Sequence, residues 1–70
     1  MIEKTYTNSQ IESVIDEHIN GRNAERNRKI LKRRYIDGLT YEKIAEEFEL
    51  SPRYVKTIIY RNEFRIFKHL

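Results

Sequence analysis

The sequence predicts a small all-α domain of four helices, on three observations. Apolar residues recur at spacings of three and four along most of the chain, which is the period of a helix buried on one side. Strong helix breakers are few, because Gly21, Gly38 and Pro52 are the only glycines and proline. The sequence contains neither a repeat nor a linker, so residues 1–70 are expected to form a single domain.

The first helix is expected over residues 10–19. Ser9 and Glu12 have the spacing of a capping box, in which each side chain binds the free backbone N–H of the other residue. His18 falls on the apolar stripe of this helix, and we interpret it as a boundary or core residue. No second ligand lies one turn away, and His69 is distant in the sequence, so no metal site is expected.

The second helix is expected over residues 24–37, with Asn23 as its N-cap and Gly38 as its stop. Basic side chains cover most of its sides and leave only a thin apolar face. Such a helix gains little free energy from core burial. One basic edge is therefore expected to contact phosphate groups, through Arg28 and Arg33.

The third helix is expected over residues 41–48 and the fourth over residues 52–67. Thr40 is the predicted N-cap of the third helix and Ser51 that of the fourth. Pro52 occupies the first helical position of the fourth helix, where its missing N–H costs nothing. This last helix carries apolar residues at helical spacing almost to the end of the chain.

The third and fourth helices have the spacing of a helix-turn-helix motif. The small residue Ala45 lies where two such helices cross closely, and residues 49–51 form a connection of suitable length. This geometry places the start of the fourth helix in the major groove of DNA. Many such turns contain glycine where Glu49 stands. Because glutamate disfavours a left-handed backbone, we expect a turn of another type.

The side chains predicted to read bases lie on the outer side of the fourth helix. Arg53 can donate two hydrogen bonds to guanine, Lys56 can reach guanine or a phosphate, and Thr57 can touch a thymine methyl group. A second group is predicted to contact the DNA backbone or the groove edge: Tyr54, Tyr60, Arg61, Arg28, Arg33, Thr40 and Ser51. Double-stranded DNA is therefore the expected partner.

The distribution of charge favours the same partner. The net charge is only +3, but basic and acidic segments alternate along the chain. Residues 21–40 contain seven Lys/Arg against two acidic residues, and residues 51–70 contain five against one. Two further segments are acidic: residues 1–20 and 41–50. This pattern is typical of a protein whose basic faces meet phosphates while other faces meet water or protein.

Two stretches of the chain carry a family resemblance. The phrases RYIDGLTYEKIAEEF, residues 34–48, and LSPRYVKTI, residues 50–58, resemble region four of bacterial RNA polymerase sigma factors, over about residues 28–67. The resemblance implies a helix-turn-helix of the kind that reads the −35 promoter element, with RNA polymerase as a further partner. The whole chain is also similar to short, stand-alone region-four-like proteins of bacteriophages and mobile elements of Gram-positive bacteria. The LuxR-type regulator domain shows a similar pattern.

Carried over by position, the base-reading residues of this family fall on Pro52, Arg53, Lys56 and Thr57. Proline cannot read a base, so the specificity at that position must differ from the family's. The chain has no room for the segment with which a sigma factor opens the −10 element. The resemblance therefore implies a transcriptional regulator rather than an independent sigma factor.

Composition argues against other classes of protein. The chain contains no cysteine, and its apolar runs are too short to span a bilayer, so a soluble, cytoplasmic protein without cofactor or metal is expected. No nucleophile–base pair, carboxylate dyad or phosphate-binding glycine loop is visible, so we do not expect an enzyme.

Two alternatives stay open at this point. The same fold can serve as a protein-interaction module that docks on RNA polymerase or another partner without reading DNA, and the glutamates of the third helix would suit a basic partner. The second alternative concerns oligomeric state. The apolar first helix and the apolar residues at the end of the chain suggest a homodimer that covers them. These terminal residues are Phe64, Ile66, Phe67 and Leu70.

Overall fold

The computed structural model describes residues 6–70 and confirms an all-α fold. Four helices follow one another along the chain: α1 Asn8–His18, α2 Ala24–Tyr35, α3 Tyr41–Phe48 and α4 Pro52–Lys68. No strand is present in this part of the chain. The closest packing joins α3 to α4, while α1 packs on α2 and α4. None of the helices among these residues is long and apolar enough to cross a membrane.

A single apolar core lies between the helices and is built largely from isoleucine. Each helix contributes at least two buried residues, and α4 contributes most. The buried apolar residues are Val14, Ile15, Ile19, Ile30, Leu31, Ile44, Ala45, Val55, Ile58, Ile59 and Ile66. Complete burial of one such aliphatic side chain contributes roughly 1.5–3 kcal/mol to the stability of the fold. The core therefore fixes the orientation of α4 along most of its length.

The first helix begins two residues earlier than the sequence analysis predicts. Thr7, not Ser9, is the N-cap, and its Oγ1 accepts a hydrogen bond of 3.1 Å from the N–H of Gln10. The side chain of Gln10 in turn accepts a hydrogen bond of 2.9 Å from the N–H of Thr7. The predicted pair of Ser9 and Glu12 has the same spacing. The earlier pair forms the capping box, and the helix gains an additional half turn.

The limits of α2 also differ from the prediction. The helix begins at Ala24, but Asn23 has a left-handed backbone, with φ of 62°, and its side chain makes no capping hydrogen bond. The helix ends at Tyr35, two residues before the predicted end. The chain then turns through Gly38, with φ of 70°, and the N–H of Leu39 donates to the carbonyl of Arg33 at 3.0 Å. This bond spans Gly38 and provides a donor for a carbonyl at the end of α2.

The turn of the helix-turn-helix is left-handed at Glu49, contrary to our expectation. Glu49 has φ of 56° and ψ of 44°, and the N–H groups of Glu49 and Leu50 both point to the carbonyl of Ala45. The Ala45 carbonyl lies in the last turn of α3, where carbonyl groups have no partner within the helix. The two bonds from the turn supply that partner. A glutamate in this conformation costs roughly 1–2 kcal/mol relative to a right-handed backbone. The surrounding packing of α3 on α4 offsets that cost.

Candidate nucleic-acid interface

The helix α4 has two faces with different roles. One face is buried in the core through Val55, Ile58, Ile59 and Ile66, together with Asn62, whose Nδ2 donates to the carbonyl of Ile58 at 2.8 Å. The opposite face is exposed along the whole helix. Because a helix repeats every 3.6 residues, the side chains farthest from the core form one stripe. This stripe consists of Arg53, Thr57, Tyr60 and Phe64.

The predicted base-reading residues Arg53, Lys56 and Thr57 come together on this exposed face. The Oγ1 of Thr57 donates a hydrogen bond of 3.0 Å to the carbonyl of Arg53. The methyl group of Thr57 therefore remains available for contact with a base. The ammonium group of Lys56 lies 5.4 Å from the centre of the Tyr60 ring. This cation–π contact restrains the side chain of Lys56 along the helix surface. None of the three side chains contributes to the core.

Thr40 and Ser51 occupy the starts of the two motif helices, as the sequence predicts. The hydroxyl oxygen of Thr40 accepts a hydrogen bond of 3.2 Å from the N–H of Lys43. The hydroxyl oxygen of Ser51 accepts one of 3.1 Å from the N–H of Tyr54. Each hydroxyl keeps its own hydrogen for donation to a further acceptor. The capping interactions therefore remain compatible with the predicted phosphate contacts.

The structure places Arg26, which is partly buried, beside the start of α4. Its Nε and Nη2 donate to Oδ1 of Asn27 at 3.2 and 3.1 Å, and its Nη2 lies 3.5 Å from the hydroxyl of Tyr54. The guanidinium carbon lies 5.5 Å from the centre of the Tyr54 ring. Sequence reasoning did not select Arg26 as a site residue. Its spacing of four from the buried Ile30 would have placed it at the edge of the packed face of α2.

Arg28, predicted to contact phosphates, makes hydrogen bonds within the domain. Its Nε donates to the carbonyl of Ile19 at 2.8 Å, and its Nη2 donates to Oδ1 of Asn20 at 2.9 Å. Ile19 is the C-cap residue of α1, so Arg28 supplies a donor to the end of that helix. This arrangement joins α1 to α2.

Arg33, the other predicted phosphate contact on α2, is also bound to neighbouring side chains. Its Nε lies 3.1 Å from both carboxylate oxygens of Glu47 on α3, and its Nη1 donates to Asp37 at 3.3 Å. Hydrogen bonding and the charge of Glu47, followed by Asp37, raise the pKa of the Arg33 guanidinium. Arg33 thus links α2 to α3 as a charged group.

The two helices of the motif carry opposite charge. Helix α3 has Lys43 against three glutamates, with Glu49 following, whereas α4 has five Lys/Arg against Glu63. Arg61, a predicted backbone contact, is exposed on α4. The positive potential of the motif therefore comes from α4, the helix that also presents the candidate base-reading residues.

The apolar residues at the end of the chain are largely covered by the protein itself. Ile66 is fully buried and Leu70 is half-buried against the core. The ring of Phe67 meets the Tyr35 ring edge-on, with 5.4 Å between the centres, and also lies near Tyr6. Phe64 is 74% exposed, and Phe67 remains 41% exposed despite its contact with Tyr35. The apolar surface that suggested a dimer is smaller than the sequence implies.

Comparison with known proteins identifies the family. The family described as sigma-70, region 4 matches residues 24–61, which is more than half of the chain. The match begins at the first residue of α2 and ends within α4, so it contains all of α3, the turn and the first part of α4. No curated protein and no solved structure is detectably similar to the chain. The family match confirms the resemblance seen in the sequence, and the chain belongs to the sigma-70 region 4 family, a family of helix-turn-helix DNA-binding modules.

Proposed function

We propose that this protein is a transcriptional regulator that binds a specific sequence of double-stranded DNA. The observation that carries the proposal is the division of α4 into a buried face and an exposed, basic face. Arg53, Lys56 and Thr57 are free to contact bases because none of them has a packing role. A helix held by its other face meets the requirement that a recognition helix be rigid before it enters the major groove.

In this proposal the contacts fall into two classes. Arg53 reads guanine through its two-pronged guanidinium, Lys56 binds guanine or a phosphate, and Thr57 offers its methyl group to thymine. A second group binds the DNA backbone or the groove edge: Tyr54, Tyr60, Arg61, Thr40, Ser51 and Arg26. We leave Arg28 and Arg33 out of this second group, because Arg28 binds the carbonyl at the end of α1 and Arg33 binds the carboxylates of Glu47 and Asp37.

The test begins with selection of a preferred site from random duplex DNA. The affinity of Arg53→Ala is then compared with that of the unaltered protein on the selected site and on a scrambled one. We expect a loss of about 1–3 kcal/mol on the selected site, with relaxed preference at one base position. Arg65→Ala is the control, since it removes the same charge from α4 about 18 Å further along the axis.

Two outcomes contradict the proposal. Equal losses on both duplexes for Arg53→Ala mean that α4 does not read bases. Failure of the unaltered protein to bind any duplex at low salt argues for the second candidate function, a module that docks on RNA polymerase or another protein. The observation that favours this second function is the acidic surface of α3, where Glu42 and Glu46 are exposed. Binding to purified RNA polymerase in the absence of DNA tests it.

A further inference from the structure

The two histidines of the chain meet face to face, although 51 positions separate them in the sequence. The rings of His18 and His69 are stacked, with 3.6 Å between their centres and 2° between their planes. His18 is the last residue of α1, and His69 directly follows α4. The stack therefore joins the C-terminal ends of two helices that have no covalent connection nearby.

We propose that His18 and His69 form a pH-sensitive latch between α1 and α4. The latch is closed while at most one of the two rings is protonated, because a neutral ring can stack on its neighbour. When both rings are protonated, two positive charges face each other at the stacking distance and repel. The end of α4 then separates from α1, while the core around Ile15 and Ile59 keeps the helices folded.

The surroundings of the pair determine the direction of the effect. Partial desolvation and the neighbouring charges of His18 and Lys68 lower the pKa of His69, while Glu17 acts in the opposite direction. Glu17 lies 3.8 Å from Nε2 of His18. A histidine whose pKa is lower in the folded protein resists protonation there. Its stabilising effect is complete above the unfolded pKa of about 6.5 and is lost as the pH falls below that value.

The remaining charged groups near this end of α1 are already paired. On α2, Lys32 binds Asp16 at 2.8 Å, and Arg28 binds the carbonyl of Ile19. Carboxylic acids in general titrate near pH 4, below the range in which imidazole rings gain protons. Helix α3 makes no contact with α1. Between pH 7.5 and pH 5, the histidine pair is therefore the group whose charge changes at this interface.

The experiment follows the pair by NMR and the fold by thermal unfolding, both at pH 7.5 and pH 5. We expect the nuclear Overhauser contacts between the two rings to be present at pH 7.5 and lost at pH 5. The unfolding temperature should fall by about 4 °C between the two conditions, and 1 M salt should reduce this difference, because salt screens the repulsion. Ring contacts that persist unchanged at pH 5 would overturn the proposal.

Two variants separate the latch from a general effect of acid. His69→Phe and His18→Phe each keep a flat ring in the stack but prevent double protonation. At pH 7.5 each variant should unfold at the same temperature as the unaltered protein. Between pH 7.5 and pH 5 its unfolding temperature should fall less than half as far as that of the unaltered protein. A decrease equal to that of the unaltered protein in both variants contradicts the latch. If one variant fails to fold, the other provides the same comparison from the opposite helix.

Discussion

Two arginines of α2 lie only two positions apart and have different surroundings. The guanidinium of Arg28 binds the carbonyl of Ile19, the C-cap residue of α1, and the side chain of Asn20. The guanidinium of Arg26 donates to Asn27 and, at 3.5 Å, to the hydroxyl of Tyr54 at the exposed start of α4. Residues of equal charge on one helix are therefore expected to contribute to different properties, one to stability and the other to DNA binding.

The variants Arg26→Ala and Arg28→Ala test this difference and serve as controls for each other, since each removes one positive charge. Arg28→Ala should lower the free energy of unfolding by about 1–2 kcal/mol, because it leaves the acceptors at the end of α1 without their partner. Arg26→Ala should leave stability nearly unchanged but weaken binding to all duplexes alike, with a salt dependence shallower by about one phosphate contact. The measurements are denaturant unfolding and binding at two salt concentrations. A loss of stability in Arg26→Ala together with a loss of DNA binding in Arg28→Ala would contradict these roles.

Among the helices and turns, the best-predicted elements are those whose limits are marked by neighbouring residues in the sequence. Helix α3 has the predicted limits, and α4 begins at the predicted Pro52 and ends one residue later than predicted. The predicted cap of α1 was wrong because two overlapping stretches, beginning at Thr7 and Ser9, have the same capping spacing. Local rules do not decide between them.

The turn at Glu49 was predicted wrongly for a different reason. The local cost of a left-handed glutamate is real, but Glu49 adopts that backbone in the turn that packs α3 on α4. The Ala45 carbonyl then accepts bonds from the N–H groups of Glu49 and Leu50. Here the tertiary structure overrides the preference of the single residue.

Replacement of Glu49 by glycine tests how much strain the turn contains. Glu49→Gly should raise the free energy of unfolding by about 0.5–1 kcal/mol, because glycine adopts the left-handed backbone without the steric cost. The matched control is Glu46→Gly in the interior of α3, where the backbone is right-handed. That variant should lower stability by about 1 kcal/mol. Chemical denaturation of both variants measures the two effects, and a loss of stability in Glu49→Gly would show that the side chain of Glu49 is needed in the turn.

At the scale of the whole molecule, the sequence could not predict contacts between residues far apart in the chain. The exposed positions of Arg53, Thr57 and Tyr60 on α4 followed from helical spacing, and these side chains are exposed in the structure. The partners of Arg28 and Arg33 depend on how α2 meets α1 and α3, and the stack of His18 on His69 depends on where two helices end. Such juxtapositions arise from the packing of the complete core.

The same packing changes the expectation for the oligomeric state. Ile66, Leu70 and in part Phe67 are covered within one chain, so a dimer has less apolar surface to bury than the sequence suggests. The exposed side of α4 is also basic, and two such surfaces repel. We expect a monomer whose mass in sedimentation or light scattering does not change with concentration. Association that Phe64→Ser abolishes would show instead that Phe64, the most exposed phenylalanine of the described residues, is needed for a dimer.

The separation of the two faces of α4 has a consequence for how such a protein can diversify. Side chains at positions 53, 56 and 57 can be exchanged without a cavity or a strained rotamer in the core, because they make no packing contacts there. A lineage could therefore acquire new target sequences by point changes that are nearly neutral for folding. A combinatorial library randomised at these three positions should consist mostly of folded proteins, and its members should differ in the DNA that they select.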